Sequence, residues 1–597
     1  MRTNRKTEEK KMSMSKNIAR LAVTAGLTAA LSFGGVMAPV TMAFADGAPV
    51  ATTSGNVAIK EDVDYAGTTF KGIQIFKATV TQDKKDNVWN GSKTLSDIDW
   101  ASTDAENAVK GVFADADDKP ANNATAQDWA DYITKKAGDN VGEGVKVDAG
   151  STLDKIAKAL EEVATTNEST GWKTSTDGKF NNLPAGYWLF VTAQAGSTKD
   201  ANKTNGNEDV FTSPIFTIVG GANVNAEPKK DVPNVTKAVK DDATNGTFGT
   251  FENPNKAADS QMDDYVDYLL TGTVAGNINT YGTYKYTFTD VLPNSMTPKF
   301  KDGGTTPDVT VKIGNTEVKT GYTAEYKNDT LTVEFANLKN CTGENGTAIT
   351  LNSDSKVTVE YKAKLDSTKI FENGKIKDVF QGLVGKAQKN KITLTYSNNP
   401  HAEGTTGTTV EHLAYDYTYG IDITKVGSDN EAKGLKGVEF TLQEQGDTGN
   451  YIMANGVKTT DETQAKLTTD GNGMINVVGL DEGTYVLTEV TPAPGYNNSA
   501  ANGVTFTIKR DLNQNGEEVT PSTDSVIQAA NGVVKDNSTT ASIGKLSFTI
   551  VDQKGSGLPL TGLNGVTFTW IAGGAVLCIG VAHLIRSRKQ AEESEQE

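Results

Sequence analysis

Cysteine and histidine are both scarce in this sequence, which has two cysteines and three histidines among its 597 residues. The histidines, His401, His412 and His583, form no cluster with the spacing of metal ligands. The sequence also lacks a GxSxG motif, a Walker loop and a Cys/His pair, so the common catalytic signatures are missing. It therefore predicts no metal site, no cofactor and no enzyme that turns over.

Basic residues are too few to balance the acidic ones. The chain has 58 Lys and Arg residues against 75 Asp and Glu residues, which gives a formal net charge of −17. Proteins that bind nucleic acid need a basic footprint for the phosphates, so nucleic acid is excluded as a partner. A net charge of this sign fits a solvated exterior surface.

Charge is missing from one long run near the C-terminus. Residues 566–585 contain no charged side chain apart from His583, and about 20 apolar residues suffice for a helix to cross a bilayer. Basic residues follow at once, and these stay on the cytoplasmic side of a span. They are Arg586, Arg588 and Lys589. The pattern predicts a transmembrane helix in the precursor, with everything before Leu558 outside the cell.

The N-terminus has the pattern of a secretory signal peptide. Lys16 and Arg20 flank the start of an apolar stretch, which ends in the small-x-small cleavage site AFA before Asp46. We therefore predict that residues 1–45 are removed on export. An N-terminal membrane anchor is the alternative.

The exported part cannot use a disulfide within itself. Cys578 falls in the predicted membrane span, and Cys341 is alone in the exported region. Exported proteins are commonly braced by disulfides. If this protein is mechanically robust, another kind of crosslink must brace it.

Short strands dominate the region between the two ends. Runs that alternate apolar and polar residues recur between turn residues, for example YKYTFTD, KITLTYS, GIDITKV, TYVLTEV and LSFTIVD. Two stretches instead have helical spacing, ATAQDWADYITKKA and STLDKIAKALEEVA, and Ser151 with Asp154 resembles a capping box. We therefore predict an all-β fold of tandem β-sandwich domains, the first with inserted helices.

Junctions that contain Pro and Gly divide the chain. They are GGANVNAEPKKDVPNVTK, SNNPHAEGTTGTTVEH and KGSGLPLTG. We predict domains at 46–230, 231–410 and 411–556, followed by a C-terminal segment at 557–597.

Three strands of the predicted third domain place an ionisable residue among inward-facing apolar ones. In a half-buried strand, residues of one parity point into the core. Lys425 shares the parity of the isoleucines in GIDITKV, Glu489 that of the leucine in TYVLTEV, and Asp552 that of the phenylalanine in LSFTIVD. A single residue of this kind at a strand end could reach water, but three of matching charge types favour a buried group.

The predicted middle domain repeats this pattern. Lys237 shares the parity of its flanking valines and is favoured over Lys240. Asp290 follows the aromatic residues of YKYTFTD, and Asn398 follows the apolar residues of KITLTYS, whereas Asn399 faces the other way. Alternation therefore predicts a second buried set of a lysine, an acid and an asparagine.

Burial gives these sets a chemistry. A buried lysine and a buried carboxyl shift toward their neutral forms, and a neutral amine is a nucleophile. We predict that Lys425 forms an amide with Asp552 and releases water, while Glu489 transfers the protons. In the middle domain, with its aspartate as acid and base, the amide would join Lys237 to Asn398 and release ammonia.

The predicted third domain resembles a collagen-adhesin B-type repeat with an internal isopeptide bond. KVGSDNEAKGLKGVEFTL resembles the opening strand pair of that family, and YVLTEVTPAPGY resembles its E-box. The matching positions of the box are Tyr485, Glu489, Gly495 and Tyr496. The box departs by having two prolines where one is usual, and Asp552 stands where the pilin members more commonly have Asn.

The whole exported chain is similar to the three-domain shaft pilins of Gram-positive bacteria. FNNLPAGYWLFVT and FTSPIFTI resemble the first pilin domain, while FTDVLP and LTYSNNP resemble a middle domain of the collagen-adhesin A-type. The resemblance implies immunoglobulin-like sandwiches and an LPxTG cell-wall sorting signal, which a sortase cuts between its Thr and Gly. The signal comprises Leu558, Pro559, Leu560, Thr561 and Gly562.

Shaft pilins also need a lysine that receives the Thr carbonyl of the next subunit. In the family it lies in a Tyr-Pro-Lys-Asn motif, and here the matching place keeps only the Pro-Lys pair, Pro228 and Lys229. The resemblance therefore implies Lys229 as the acceptor, with Lys230 as the alternative. A simple basic linker is the other interpretation.

The resemblance implies a function as well as a fold. It predicts a secreted, wall-anchored structural subunit of a covalently polymerised surface pilus that supports adhesion. Its partners would be pilus-class and housekeeping sortases, identical subunits and peptidoglycan, with tip and base pilins and a host glycan or matrix ligand left open. The alternative is a wall-anchored monomeric adhesin, which does not need the Pro-Lys pair.

Overall fold

The structure is a computed structural model, and it describes eleven segments of the chain. They are 48–60, 65–138, 147–163, 171–198, 206–228, 231–242, 246–510, 512–516, 526–528, 533–536 and 544–555. The predicted signal peptide, Lys229 and Lys230, the sorting signal and the membrane span lie outside the described residues. Within these segments, no helix is both long and apolar enough to cross a bilayer.

The first domain packs three helices against a six-stranded sheet, beside a smaller three-stranded sheet. Its helices are α1 (Thr103–Val112), α2 (Ala126–Ala137) and α3 (Thr152–Glu161). Its strands are β1 (Ala48–Thr52), β2 (Ser54–Ile59), β3 (Tyr65–Ala66), β4 (Thr69–Lys85), β5 (Val88–Trp100), β6 (Lys173–Thr174), β7 (Lys179–Pro184), β8 (Gly186–Gln194), β9 (Ser197–Thr198), β10 (Ile215–Val219) and β11 (Val224–Ala226).

The two predicted helices are confirmed as α2 and α3. Thr125 and Asp128 form a capping box at the start of α2, so the first free N–H groups of that helix have partners. At the start of α3, the Ser151 side chain accepts from the Asp154 backbone N–H. Helix α1 was not predicted, and only Ala105 and Val109 of its residues are buried, which leaves a weak periodic signal.

The middle domain is a sandwich of a six-stranded and a seven-stranded sheet. Its strands are β12 (Val235–Lys240), β13 (Ala257–Asp259), β14 (Tyr265–Thr273), β15 (Tyr286–Val291), β16 (Met296–Pro298), β17 (Val309–Ile313), β18 (Thr316–Glu317), β19 (Thr323–Lys327), β20 (Thr330–Phe335), β21 (Lys356–Leu365), β22 (Phe371–Glu372), β23 (Lys375–Ile376), β24 (Gln388–Ser397), β25 (Thr406–Thr408) and β26 (His412–Tyr417). A one-turn helix, α4 (Ser367–Ile370), follows β21.

The third domain is a sandwich of two five-stranded sheets. Its strands are β27 (Tyr419–Gly427), β28 (Asn430–Gly434), β29 (Glu439–Glu444), β30 (Tyr451–Ile452), β31 (Lys458–Thr459), β32 (Leu467–Thr468), β33 (Met474–Leu480), β34 (Gly483–Thr491), β35 (Val504–Ile508), β36 (Val526–Gln528), β37 (Val534–Asp536) and β38 (Lys545–Asp552). The predicted all-β fold is thus confirmed.

The sheet of the middle domain extends past residue 410, where the sequence placed the boundary. Strand β26 pairs with β24 of that sheet, and its parallel partner is β13. Strand β27 of the third domain begins at Tyr419, two residues after β26 ends. The change of sheet therefore falls at Thr418, which is fully buried.

Alternation along the strands builds the core of each sandwich. In β21, every second residue from Val357 to Leu365 is buried, while the residues between them are more exposed. Successive side chains of a strand point to opposite faces, so one parity fills the space between the sheets. This packing removes the inward-facing lysines and carboxyls from water as well.

Candidate functional site

The third domain brings Lys425, Glu489 and Asp552 together. Strands β27 and β38 are parallel neighbours in one sheet, and Glu489 reaches the same point from β34 of the facing sheet. The Lys425 Nζ atom lies 2.5 Å from Asp552 Oδ1 and 2.9 Å from Glu489 Oε2. All three side chains are fully buried. The sequence predicted that these residues face inward, and the structure places them in one contact group.

The surroundings of this group favour proton exchange. Burial raises the pKa of Glu489 to about 7; nearby Lys425 opposes the rise and Asp552 adds to it. A carboxyl with that pKa can accept and donate a proton near neutral pH. The Ser499 backbone N–H donates to Asp552 Oδ1 at 3.2 Å and so helps to fix that carboxyl. The arrangement suits attack by an amine on a carboxyl carbon.

The middle domain brings Lys237 to Asp290, as the sequence predicted. Lys237 lies on β12, and Asp290 lies on β15 of the facing sheet. The amine of Lys237 contacts Asp290 Oδ1, and it also donates to the Tyr361 hydroxyl at 3.0 Å. Both members of the ion pair are fully buried. Two of the three residues predicted for this site therefore meet.

The structure does not bring Asn398 to Lys237. Asp290, which contacts the lysine, is paired with Ile392 in the neighbouring strand, and Asn398 lies six positions farther along and beyond the strand end. At about 3.3 Å per residue this separation is roughly 20 Å. Asn398 lies instead near the first domain, where its carbonyl accepts from the Phe211 N–H at 2.7 Å.

Asn390 occupies the place predicted for Asn398. It lies two positions from Ile392 on the same face of β24 and is fully buried. Its Nδ2 donates to the Tyr361 hydroxyl at 2.8 Å, so it shares that oxygen with the lysine. No donor among the described residues bonds its Oδ1. The site thus comprises Lys237, Asp290, Tyr361 and Asn390.

Burial sets the protonation of this second site. Desolvation lowers the pKa of Lys237 to about 8, although Asp290 partly opposes the shift. Desolvation also raises the pKa of Asp290, against the effect of the lysine. Both shifts favour a neutral amine beside a protonated carboxyl, which are the forms that amide formation needs.

Sequence reasoning missed Asn390 and Tyr361. Asn390 has the same parity as Asn398, so alternation does not separate them. Tyr361 lies in KVTVEYKAKL at an inward position among Val, Ala and Leu. A polar-tipped aromatic residue at such a position is the signal that could have drawn attention to it.

In the first domain, the buried lysine is Lys93, and it has a different environment. Its amine donates to the backbone carbonyls of Ile218 and Ala222, at 3.1 and 2.8 Å. Burial lowers the pKa of Lys93 to about 8. Within the described part of the domain, no hydrogen bond or ion pair to a carboxylate is found for this amine, in contrast to the lysines of the other two sites.

A cavity of about 690 Å³ lies where the middle and third domains meet. Arg510 of the third domain bridges the junction, because it pairs with Asp241 and Asp259 of the middle domain and with Glu482 of its own. Although carboxylates are numerous here, the described residues contain no group of Asp, Glu, His or Cys placed to hold a metal ion. The cluster serves to join the two domains.

Comparison with known proteins assigns part of the chain. Residues 420–525 match the family model of the SpaA prealbumin-like fold domain. Lys425 and Glu489 lie within the matched segment, and Asp552 follows it. A comparison with curated proteins gave no match.

Solved structures of pilins are similar to the chain at low sequence identity. BcpA, the major pilin subunit of Bacillus cereus, is 14% identical with a TM-score of 0.37, over 85% of this chain and 100% of that one. The T6 backbone pilin of Streptococcus pyogenes is 14% identical with a TM-score of 0.45, over 85% and 99%. The major pilin SpaD of Corynebacterium diphtheriae is 16% identical with a TM-score of 0.42, over 85% and 98%. These similar structures are all major or backbone pilins, and the match to the SpaA prealbumin-like model covers part of the third domain of this chain.

Proposed function

We propose that the chain is a structural subunit of a covalently polymerised surface pilus, braced by two internal isopeptide bonds. The observation that carries this proposal is the fully buried contact group of Lys425, Glu489 and Asp552 in the SpaA-family domain. Three ionisable groups in such a place are costly unless they react or pair. An amide between two of them removes the charge permanently.

The third-domain bond forms by condensation. The Lys425 amine, once it has lost a proton to Glu489, attacks the Asp552 carboxyl carbon. The new bond joins Nζ to Cγ, and the attacking nitrogen gives up a second hydrogen. One carboxyl oxygen takes this hydrogen and the proton that Glu489 returns, and leaves as water, while the new amide keeps one hydrogen on Nζ. Because β27 and β38 are the first and last strands of the domain, the bond ties its two ends together.

The middle-domain bond joins Lys237 to Asn390, in place of the Asn398 partner that the sequence indicated. Both side chains donate to the same Tyr361 oxygen, so their nitrogens lie within two hydrogen-bond lengths of each other. The amine attacks the side-chain carbonyl of Asn390, and the amide nitrogen leaves as ammonia. Asp290 takes up and returns the proton of the amine.

Polymerisation would use two residues that lie at domain boundaries. A sortase would cut after Thr561 and join its carbonyl to Lys229 of the next subunit, with identical subunits, peptidoglycan and the sortases as partners at the cell surface. The chain turns over no substrate and forms each internal bond once. A monomeric wall-anchored adhesin, which would need no acceptor lysine, is the alternative.

The assignment of Asn390 is tested by a pair of asparagine variants. Asn390→Ala should raise the mass of the chain by one ammonia relative to the crosslinked protein, after correction for the substitution, because it removes the reacting amide. Asn398→Ala should leave the crosslink complete and is the matched control. Intact-mass spectrometry measures both, and loss of the crosslink in the control alone would contradict the assignment.

The stability of a middle domain without its crosslink should depend on pH, because the free Lys237 amine titrates. In Asn390→Ala the amine stays free, with a folded pKa of about 8 against an ordinary value of 10.5. Between those pH values the unfolded chain binds more protons than the folded one, so the free energy of unfolding should rise with pH. Asn390→Ala/Lys237→Met is the control and should lack this rise. Thermal melting from pH 8 to 10.5 measures the difference, and equal slopes in the two variants would contradict it.

A further inference from the structure

The Tyr361 hydroxyl occupies a particular place in the middle-domain site. It accepts from the Lys237 amine at 3.0 Å and from the Asn390 amide nitrogen at 2.8 Å. These are the attacking and the leaving nitrogens of the proposed reaction. The hydroxyl also lies close enough to Asp290 to affect the pKa of that carboxyl.

The third-domain site has no such hydroxyl among its described contacts. There the Lys425 amine contacts two carboxylates, with the Phe440 ring 5.7 Å away. The leaving group in that domain is water from a carboxyl. In the middle domain it is ammonia from an amide, and an amide nitrogen leaves readily only after it has gained a proton.

We propose that Tyr361 is a catalytic residue of the middle-domain crosslink, which passes a proton from the attacking Lys237 amine to the leaving nitrogen of Asn390. This inference rests on the proposed Lys237–Asn390 bond. It gives the hydroxyl a role that depends on the leaving group, which explains why one site has a tyrosine and the other does not.

The proton transfers balance. Lys237 first gives one proton to Asp290 and attacks as a neutral amine with two hydrogens. As the Nζ–Cγ bond forms, one of these hydrogens passes to the Tyr361 oxygen while the phenol proton passes to Nδ2. The Cγ–Nδ2 bond breaks, and ammonia leaves with its third hydrogen. The new amide keeps one hydrogen on Nζ, Tyr361 is unchanged, and Asp290 protonates the departing ammonia.

The environment of Tyr361 suits this role. The residue is 2% exposed, and burial holds the pKa of its hydroxyl well above the ordinary value. The phenol therefore stays protonated until it takes part in the proton transfer. Its ring is stacked on Tyr268 at a centroid distance of 5.3 Å. Packing therefore fixes the hydroxyl between the two nitrogens, independently of the hydrogen bonds it makes.

Tyr268 provides a matched control for the experiment. Its ring lies 5.2 Å from the Lys237 amine, about as near as that of Tyr361 at 5.3 Å. The Tyr268 hydroxyl donates to Met296 Sδ at 3.8 Å and interacts with Asn390, but it has no hydrogen bond to Lys237 among the described contacts. The proposed proton transfer needs a hydroxyl that contacts both the Lys237 and the Asn390 nitrogens. Tyr268→Phe therefore removes a buried hydroxyl from the same ring stack and leaves the proposed proton path intact.

The test follows crosslink formation over time in the full-length chain. Freshly purified wild type, Tyr361→Phe and Tyr268→Phe are incubated, digested and analysed by mass spectrometry for the peptides that join Lys237 to Asn390. We expect wild type and Tyr268→Phe to be complete at once, and Tyr361→Phe to be slower by about 100-fold or more, as for loss of a general acid–base catalyst.

Each other outcome overturns a defined statement. Complete crosslinking in Tyr361→Phe at the wild-type rate would refute the relay. Equal slowing in both phenylalanine variants would also refute it, because loosened packing would then be the cause. Absence of the joined peptides in wild type would instead refute the proposed bond itself.

Discussion

Lys425→Ala is expected to make the third domain unfold at a much lower temperature while the middle domain keeps its stability. The proposed Lys425–Asp552 bond would close a loop of well over 100 residues, and in the chain-entropy model for disulfides such a crosslink contributes about 4–5 kcal/mol. For a domain of this size that corresponds to a fall in melting temperature of roughly 10–20 °C. Removing the lysine also leaves two buried carboxyls without their cation, which adds to the loss.

Calorimetry and limited proteolysis measure the effect domain by domain. The exposed Lys436 of the same domain provides the matched control, since Lys436→Ala removes a positive charge without touching the buried group. Lys237→Ala should give the reciprocal result, with a labile middle domain and a stable third one. Equal losses in both domains from either change would show that the crosslinks are not where we place them.

Lys229→Ala is expected to abolish the polymer. Wall extracts boiled in detergent should show a ladder of high-mass species for wild type and monomer for the variant, which stays anchored through Thr561. The described chain before the acceptor is at the surface of the first domain, because β11 ends at Ala226 and Glu227 forms an exposed ion pair with Lys60 at 3.0 Å.

Lys230→Ala is the control for this experiment. It should leave the ladder intact if Lys229 is the acceptor. A ladder that survives both changes would refute the Pro-Lys assignment. A single monomer band from wild type would favour the monomeric adhesin.

The third-domain site could be predicted from sequence because each of its residues lies in a short strand whose alternating apolar residues mark the inward face. Parity fixes the face of a strand, and the pairing of first and last strands then fixes which residues meet. Lys425 and Asp552 lie two positions apart in the register of β27 and β38, close enough for long side chains to bridge. All three ionisable side chains point into the space between the two sheets, where they contact one another.

The middle-domain site was only partly predictable for a physical reason. Asn390 and Asn398 share a parity with every second residue between them, so alternation cannot locate the partner along β24. The register between β24 and β15 places Asn390, and not Asn398, near Asp290. This register depends on contacts between distant parts of the chain. Tyr361 enters from a third strand, β21, whose position in the facing sheet the local sequence does not encode.

The boundaries between strands and between domains were also poorly predicted from the sequence. The run of Gly and Thr residues before Val410 has the composition of a linker. Strand β25 nevertheless lies within this run and β26 follows it, and both strands pair with β24. Amino-acid composition indicates how flexible the backbone is locally. Whether a segment joins a sheet depends instead on whether an unpaired edge strand lies next to it. The same limit applies to α1, whose two buried residues gave little periodicity.

The intact mass of the exported chain is the most direct test of the internal crosslinks. The two proposed crosslinks predict a mass lower than that of the sequence by one water and one ammonia, with joined peptides at Lys425–Asp552 and Lys237–Asn390. Glu489→Ala should restore only the water, and Asp290→Ala should restore only the ammonia. A wild-type mass equal to that of the unmodified sequence would contradict the central claim, because the buried lysines would then be unreacted members of ordinary ion pairs.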